Sequence, residues 1–174
     1  MYFEEEIAVP QSEDPWSAGL DITTSIDFSK SLEERIAAAR CDWGGEVIAA
    51  IQARGENTGV KWFRNRLFFC KRNFSSGEAL ERVMRNGFLL GDQFDGLAVV
   101  AAVPRLGNIV CLGSSSRVND ARDVVCFDRN GDNRGVLLLD WAGKWTSIWA
   151  VLGSKEIRAP GVGLLRSSTT PVWI

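Results

Sequence analysis

The chain has 174 residues, 45% hydrophobic and 24% charged, with 17 Gly and 5 Pro. This is the composition of one ordinary globular domain, neither disordered nor fibrous, and no apolar run approaches the ~18–20 residues of a membrane-spanning helix. Histidine is absent, which excludes Ser–His and Cys–His nucleophilic schemes and His-ligated metals.

The net charge of -2 conceals an asymmetry. Residues 1–29 hold seven acids (Glu4, Glu5, Glu6, Glu13, Asp14, Asp21, Asp27) and no base, which leaves 15 acids against 20 bases in the remainder. An acidic arm on a basic body binds a charged partner or folds back over its own basic face. The four cysteines (Cys41, Cys70, Cys111, Cys126) show no C-x-x-C pairing. With no signal peptide to read at the N-terminus, they are expected as free, mostly buried thiols in a reducing, cytoplasmic compartment. Neither a metal site nor a cofactor is expected from this spacing.

In chain order, residues 1–29 are expected as an acidic extended arm, interrupted by Pro10 and Pro15, and residues 30–174 as a single α+β domain. Ser31-Leu32-Glu33-Glu34 is a capping box that predicts a helix from Leu32 to about Arg40. After the break at Asp42-Trp43-Gly44-Gly45 a second short helix is expected from Glu46 to Arg54, capped by Gly55.

The segment from Lys61 to Phe74 carries five bases, five aromatics and no acid. Cations that track phosphates and rings that stack on bases make a single-stranded nucleic-acid (RNA) platform, for which Lys61, Trp62, Arg64, Arg66, Lys71 and Arg72 are the candidates. Phe63, Leu67, Cys70 and Phe74 also fall at the spacing of a core-facing helix, and a strand accounts for the segment equally. The structural role is preferred, because periodicity alone explains the apolar set.

Ser75-Ser76-Gly77-Glu78 is a second capping box, opening a helix to Arg85 that Gly87 closes. In Gly91-Asp92-Gln93-Phe94-Asp95-Gly96 the two aspartates, with Arg105, are the one acid–base constellation an enzyme could use; as loop formers they are expected in a turn. From Gly96 onward, Leu97–Val103, Ile109–Leu112, Val124–Asp128, Val136–Asp140 and Ser147–Leu152 are short apolar runs between turn signals, expected as strands. Asp128 to Gly135 begins like a calcium loop, then places Asn133 at the glycine position and Leu139 at the bidentate-glutamate position, so a hairpin turn is expected. The expected fold is α+β, with N-terminal short helices packed on a C-terminal antiparallel β-meander of about five strands.

Ser17-Ala18-Gly19-Leu20-Asp21-Ile22 resembles the first motif of the trimeric dUTP pyrophosphatases, and Asp132-Asn133-Arg134-Gly135-Val136 a later one. Asn133 stands where that family stacks an aromatic on its base, and the serine signature between the two is missing, so the resemblance lends no site. The layout is also similar to that of a toxin-immunity superfamily, without diagnostic residues.

These features favour a non-catalytic interaction protein, of the viral or bacterial accessory, host-interaction or immunity type, which binds and masks another macromolecule. A protein partner is expected and a membrane is not. Glu4, Glu5 and Glu6 beside a short apolar run, and the hydrophobic Val172-Trp173-Ile174 end, suit capture by an edge strand or basic groove. Of the seven tryptophans, most are expected buried, with Trp16 and Trp173 as interface anchors.

Overall fold

The computed structural model describes residues 14–49, 58–118 and 121–160. Its elements are β1 (Trp16–Asp27), α1 (Leu32–Ala39), α2 (Gly45–Ala49), β2 (Val60–Cys70), β3 (Phe74–Ser75), α3 (Ser76–Arg85), β4 (Leu89–Leu90), α4 (Gln93–Ala102), β5 (Asn108–Val118), β6 (Ala121–Asn130), β7 (Asn133–Asp140), β8 (Lys144–Trp145) and β9 (Trp149–Ile157).

Reciprocal caps set the helix starts. Glu34 N–H donates to Ser31 Oγ (3.2 Å) while Ser31 N–H donates to the Glu34 carboxylate (2.7 Å) at the head of α1. Ser75 and Glu78 repeat the arrangement at the head of α3, whose chain then turns away at Gly87 with φ +75°. These are the helices the two capping boxes predict. The second short helix is described only over α2, and its expected run to Arg54 with a Gly55 cap lies outside the described residues.

The strands form one seven-stranded sheet in the order β1-β2-β9-β5-β6-β7, with β4 also pairing β9, and β3 pairs β8 as a separate ribbon. Only β5 and β9 run parallel; the other described pairs are antiparallel. Consecutive residues of the central strands belong to different hydrophobic clusters: Leu67 and Phe68, Val110 and Cys111, Val125 and Cys126, Val151 and Leu152. Because successive strand side chains point to opposite faces, the sheet is buried on both. Over one face lie α4, Ala39 of α1 and Ile48 of α2, with Ile22, Leu67, Phe127 and Leu152. Over the other lie α3 and the β3–β8 ribbon, with Phe68, Val83, Leu112 and Val151.

The mixed α+β class is as expected, and the finer layout differs. Leu97–Val103 is not a strand: it belongs largely to α4, a helix buried at all but a few positions. The segment 61–74 is β2 followed by a turn and β3, not a helix. β5, β6 and β7 do form an antiparallel meander, joined at β6–β7 by the expected hairpin turn, where Gly131 takes φ +62°. β9, however, inserts between β2 and β5, and residues 16–27 of the acidic segment are themselves the edge strand β1, hydrogen-bonded to β2 from Trp16 to Asp27.

Candidate functional site

Two clefts meet at the start of α4. Asp92 caps this helix: its Oδ1 accepts the N–H groups of Phe94 (2.9 Å) and Asp95 (3.1 Å), and Asp92 N–H donates to Asp95 Oδ2 (3.0 Å). Both aspartates are buried. The expectation that they lie in a turn is therefore corrected, because they open a helix. Arg105 lies past the other end of α4, ten residues and about 15 Å along the axis, so the three do not converge.

The first cleft, of about 470 Å³, follows the outer edge of β1 from Thr23 to Asp27 and is bounded by α1 and α4. Its α4 wall is apolar and small, with Ala98, Ala101 and Ala102 below Phe94 and Leu97; its α1 wall offers Glu34 and Arg35. The Arg35 guanidinium stacks 4.6 Å from the Phe94 ring centre and 5.7 Å from that of Phe28. The second cleft, of about 290 Å³, lies on the other side of Phe94, where Asp92 and Asp95 meet Ser154 and Glu156 of β9. Phe94 stands inside the Gly91–Gly96 motif, but Arg35, Phe28 and Ser154 had no motif to announce them. They reach the two clefts on either side of Phe94 because β1 and β9 flank β2.

On β2 the strand period sorts the nucleic-acid candidates. Trp62, Arg64 and Arg66 share one face, with Lys155 of β9 directly across from Arg64. Lys61 points to the opposite face and pairs with Glu156 at 3.4 Å. Lys71 and Arg72 follow the strand, and Arg72 is held by Glu78 at 2.7 Å. Asp21 of β1 binds both Arg64 and Arg66. Hydrogen bonds from Arg66 above all, joined by Arg64, hold the Asp21 carboxyl well below the usual aspartate range, against the upward push of partial burial.

The pH dependence follows with a definite sign. A carboxyl depressed in the folded state contributes stability above its unfolded value, near pH 4, and loses it as pH falls through the folded value. Asp21→Asn should therefore be less stable than the parent at pH 7, by about 1 kcal/mol for a half-exposed pair, and equal to it in strong acid. Urea midpoints of both proteins from pH 7 downward check this; parallel acid limbs would refute it.

The remaining sequence candidates sort as follows. Trp16 is half-buried, its ring 4.9 Å from Phe74 at the border of the α3 side of the core. Trp145 is buried and Trp43 is exposed. Cys70, Cys111 and Cys126 are free and buried, and Cys41 is free and half-buried; burial pushes the Cys111 and Cys126 thiols upward. Among the described residues no three acids or thiols gather as a metal site, and no helix is long and apolar enough to cross a membrane. Glu4, Glu5, Glu6, Val172, Trp173 and Ile174 lie outside the described residues. Compared with known proteins, the chain matches no family model, no curated protein and no solved structure.

Proposed function

We propose that this chain is a non-catalytic interaction protein that binds and masks another macromolecule, a partner protein that lays an extended segment along β1. The observation that carries the reading is the cleft along the β1 edge. Twelve residues of strand, Trp16–Asp27, end the sheet with no further strand beside them among the described residues. A long unpaired edge is a template for strand addition unless something blunts it. Here an apolar wall of small α4 side chains runs along one flank, where alternate side chains of an added strand would seat. The acidic segment Glu4–Glu6 and the Val172–Ile174 end extend the binding surface in this proposal.

Because β1 is part of the sheet, removal of residues 1–29 would take a structural strand with it, and the informative truncation is 1–13. A photo-crosslinking residue at Ala102, an exposed position of the cleft, should give protein adducts in lysate that survive nuclease treatment. The same probe at Asp132, at the tip of the β6–β7 hairpin, should not give them. Identical adducts at both positions, or adducts that disappear with nuclease, would overturn the reading.

A second reading rests on Trp62, Arg64 and Arg66 sharing a face with Lys155. These residues would bind single-stranded RNA, and Asp21 would compete for the two arginines. Asp21→Asn should then tighten binding to a labelled oligonucleotide. The logarithm of the binding constant should fall with log salt by about 0.7 for each phosphate neutralised. A flat salt response would remove this reading.

A further inference from the structure

Resting on the strand-addition reading of the first cleft, we infer that the partner segment laid along β1 carries an acidic side chain, and that the Arg35 guanidinium receives its carboxylate. Four charged residues line this cleft: Asp27, Lys30, Glu34 and Arg35. The two acids are already engaged by their own neighbours. Asp27 Oδ1 accepts Ser29 N–H at 3.0 Å and the Ser29 hydroxyl at 2.6 Å, and the Glu34 carboxylate accepts Ser31 N–H at 2.7 Å. The two bases are not. Among the described residues no carboxylate lies within ion-pair distance of Lys30 or Arg35. The hydrogen bond that Arg35 does make runs from Nε to the Ser31 carbonyl at 3.4 Å.

Arg35 is also held ready. Its guanidinium lies 4.6 Å from the Phe94 ring centre and 5.7 Å from that of Phe28, which fixes its plane and reduces the side-chain freedom lost when a ligand binds. Its Nη1 is buried with no hydrogen-bond partner. A charged N–H without an acceptor is costly, and the two oxygens of a carboxylate match the guanidinium fork. The α4 wall adds a second requirement. Ala98 follows Phe94 by one helical turn, about 6 Å along the axis, close to the ~7 Å between same-side residues of an extended strand. The added segment therefore carries an acid at one position and an apolar residue two positions away, the acid at Arg35 and the apolar group on Ala98 and Ala101.

The test is calorimetric titration of the full chain at low salt with three peptides blocked at both ends. The first alternates valine and threonine over seven residues, with glutamate in place of the second valine. The second has glutamine there, and the third is the glutamate peptide with its backbone N-methylated, so that it cannot pair with a strand. The glutamate peptide should bind at least about tenfold more tightly than the glutamine one, as expected for a charged hydrogen bond, and the N-methylated peptide should not bind. Arg35→Lys keeps the charge and loses the fork, and should shrink the acid preference to about threefold. The comparison of peptides on the parent protein needs no variant to fold. Equal binding of the glutamate and glutamine peptides, with none by the N-methylated one, would leave strand addition standing and overturn the acid. Absence of saturable binding, or equal binding of the N-methylated peptide, would remove strand addition and this inference with it. An acid preference that emerges only after residues 1–13 are deleted would give the cleft to this chain's own Glu4–Glu6 and overturn the partner acid.

Discussion

Gly96→Val should lower the stability of the fold by about 3 kcal/mol or more. Gly96 sits inside α4 where the helix meets the sheet. A Cβ there would lie 2.3 Å from Phe127 Cε2 and 2.7 Å from Cys111 Sγ, and both of those residues are fully buried. Two effects oppose each other in the smaller change Gly96→Ala. Helix propensity favours alanine by about 1 kcal/mol, while forcing a methyl into a packed interior costs about 1–3 kcal/mol. The clash should win at alanine and dominate at valine, whose branched side chain is also confined in a helix. Gly107→Ala is the control: a Cβ there meets nothing within 4 Å, so it should change stability by less than about 0.5 kcal/mol. Urea midpoints of the three variants decide the matter, and a Gly96→Ala protein as stable as the parent would show that the layers can separate freely.

Asp92→Ala should cost about 2–3 kcal/mol, more than loss of an ordinary exposed cap. The Asp92 carboxylate satisfies two backbone N–H groups at a buried helix start, and alanine would leave them without an acceptor and without ready access to water. Asp92→Ser restores a short acceptor at the same place and should recover most of the loss. Ser31→Ala removes the corresponding group from the exposed head of α1 and should cost only about 1 kcal/mol. Thermal unfolding of the four proteins separates the cases. If the serine variant is as unstable as the alanine one, the aspartate charge, and not its capping geometry, holds α4 in place.

The parts of the fold legible in the sequence were those written in local chemistry. Ser31–Glu34 and Ser75–Glu78 announce their helices because a hydroxyl and a glutamate at that spacing satisfy each other's backbone donors. Gly131-Asp132 announces the β6–β7 hairpin because the first central position needs positive φ. Asp92–Asp95 performs the same capping with a shorter acid at the third position, so it escaped the usual pattern. α4 was hidden for a second reason: a helix buried on nearly every side loses the polar face that gives helices their period. β2 was left open between helix and strand by the converse effect. With a layer packed on each face, Leu67 and Phe68 are both buried and the alternation of a strand disappears. The two clefts were not legible, because they assemble residues from β1, α1, α4 and β9 that only the tertiary fold brings together.

The position of β9 also dictates when the molecule can fold during synthesis. β2 and β5 are separated in the finished sheet by β9, which is made after both, and β2 must wait through about 80 residues of chain for its second neighbour. At a translation rate of roughly 5–20 residues per second, the nascent chain spends several seconds with the inner edges of both strands bare. Each half is then a sticky, incomplete sheet, and closure joins segments far apart along the chain, which is slow. A ribosome that stalls or terminates before residue 149 therefore releases two unmatched sheet fragments, which invite chaperone binding or aggregation. β9 completes both halves at once, and before it is made the described sheet cannot exist as a whole.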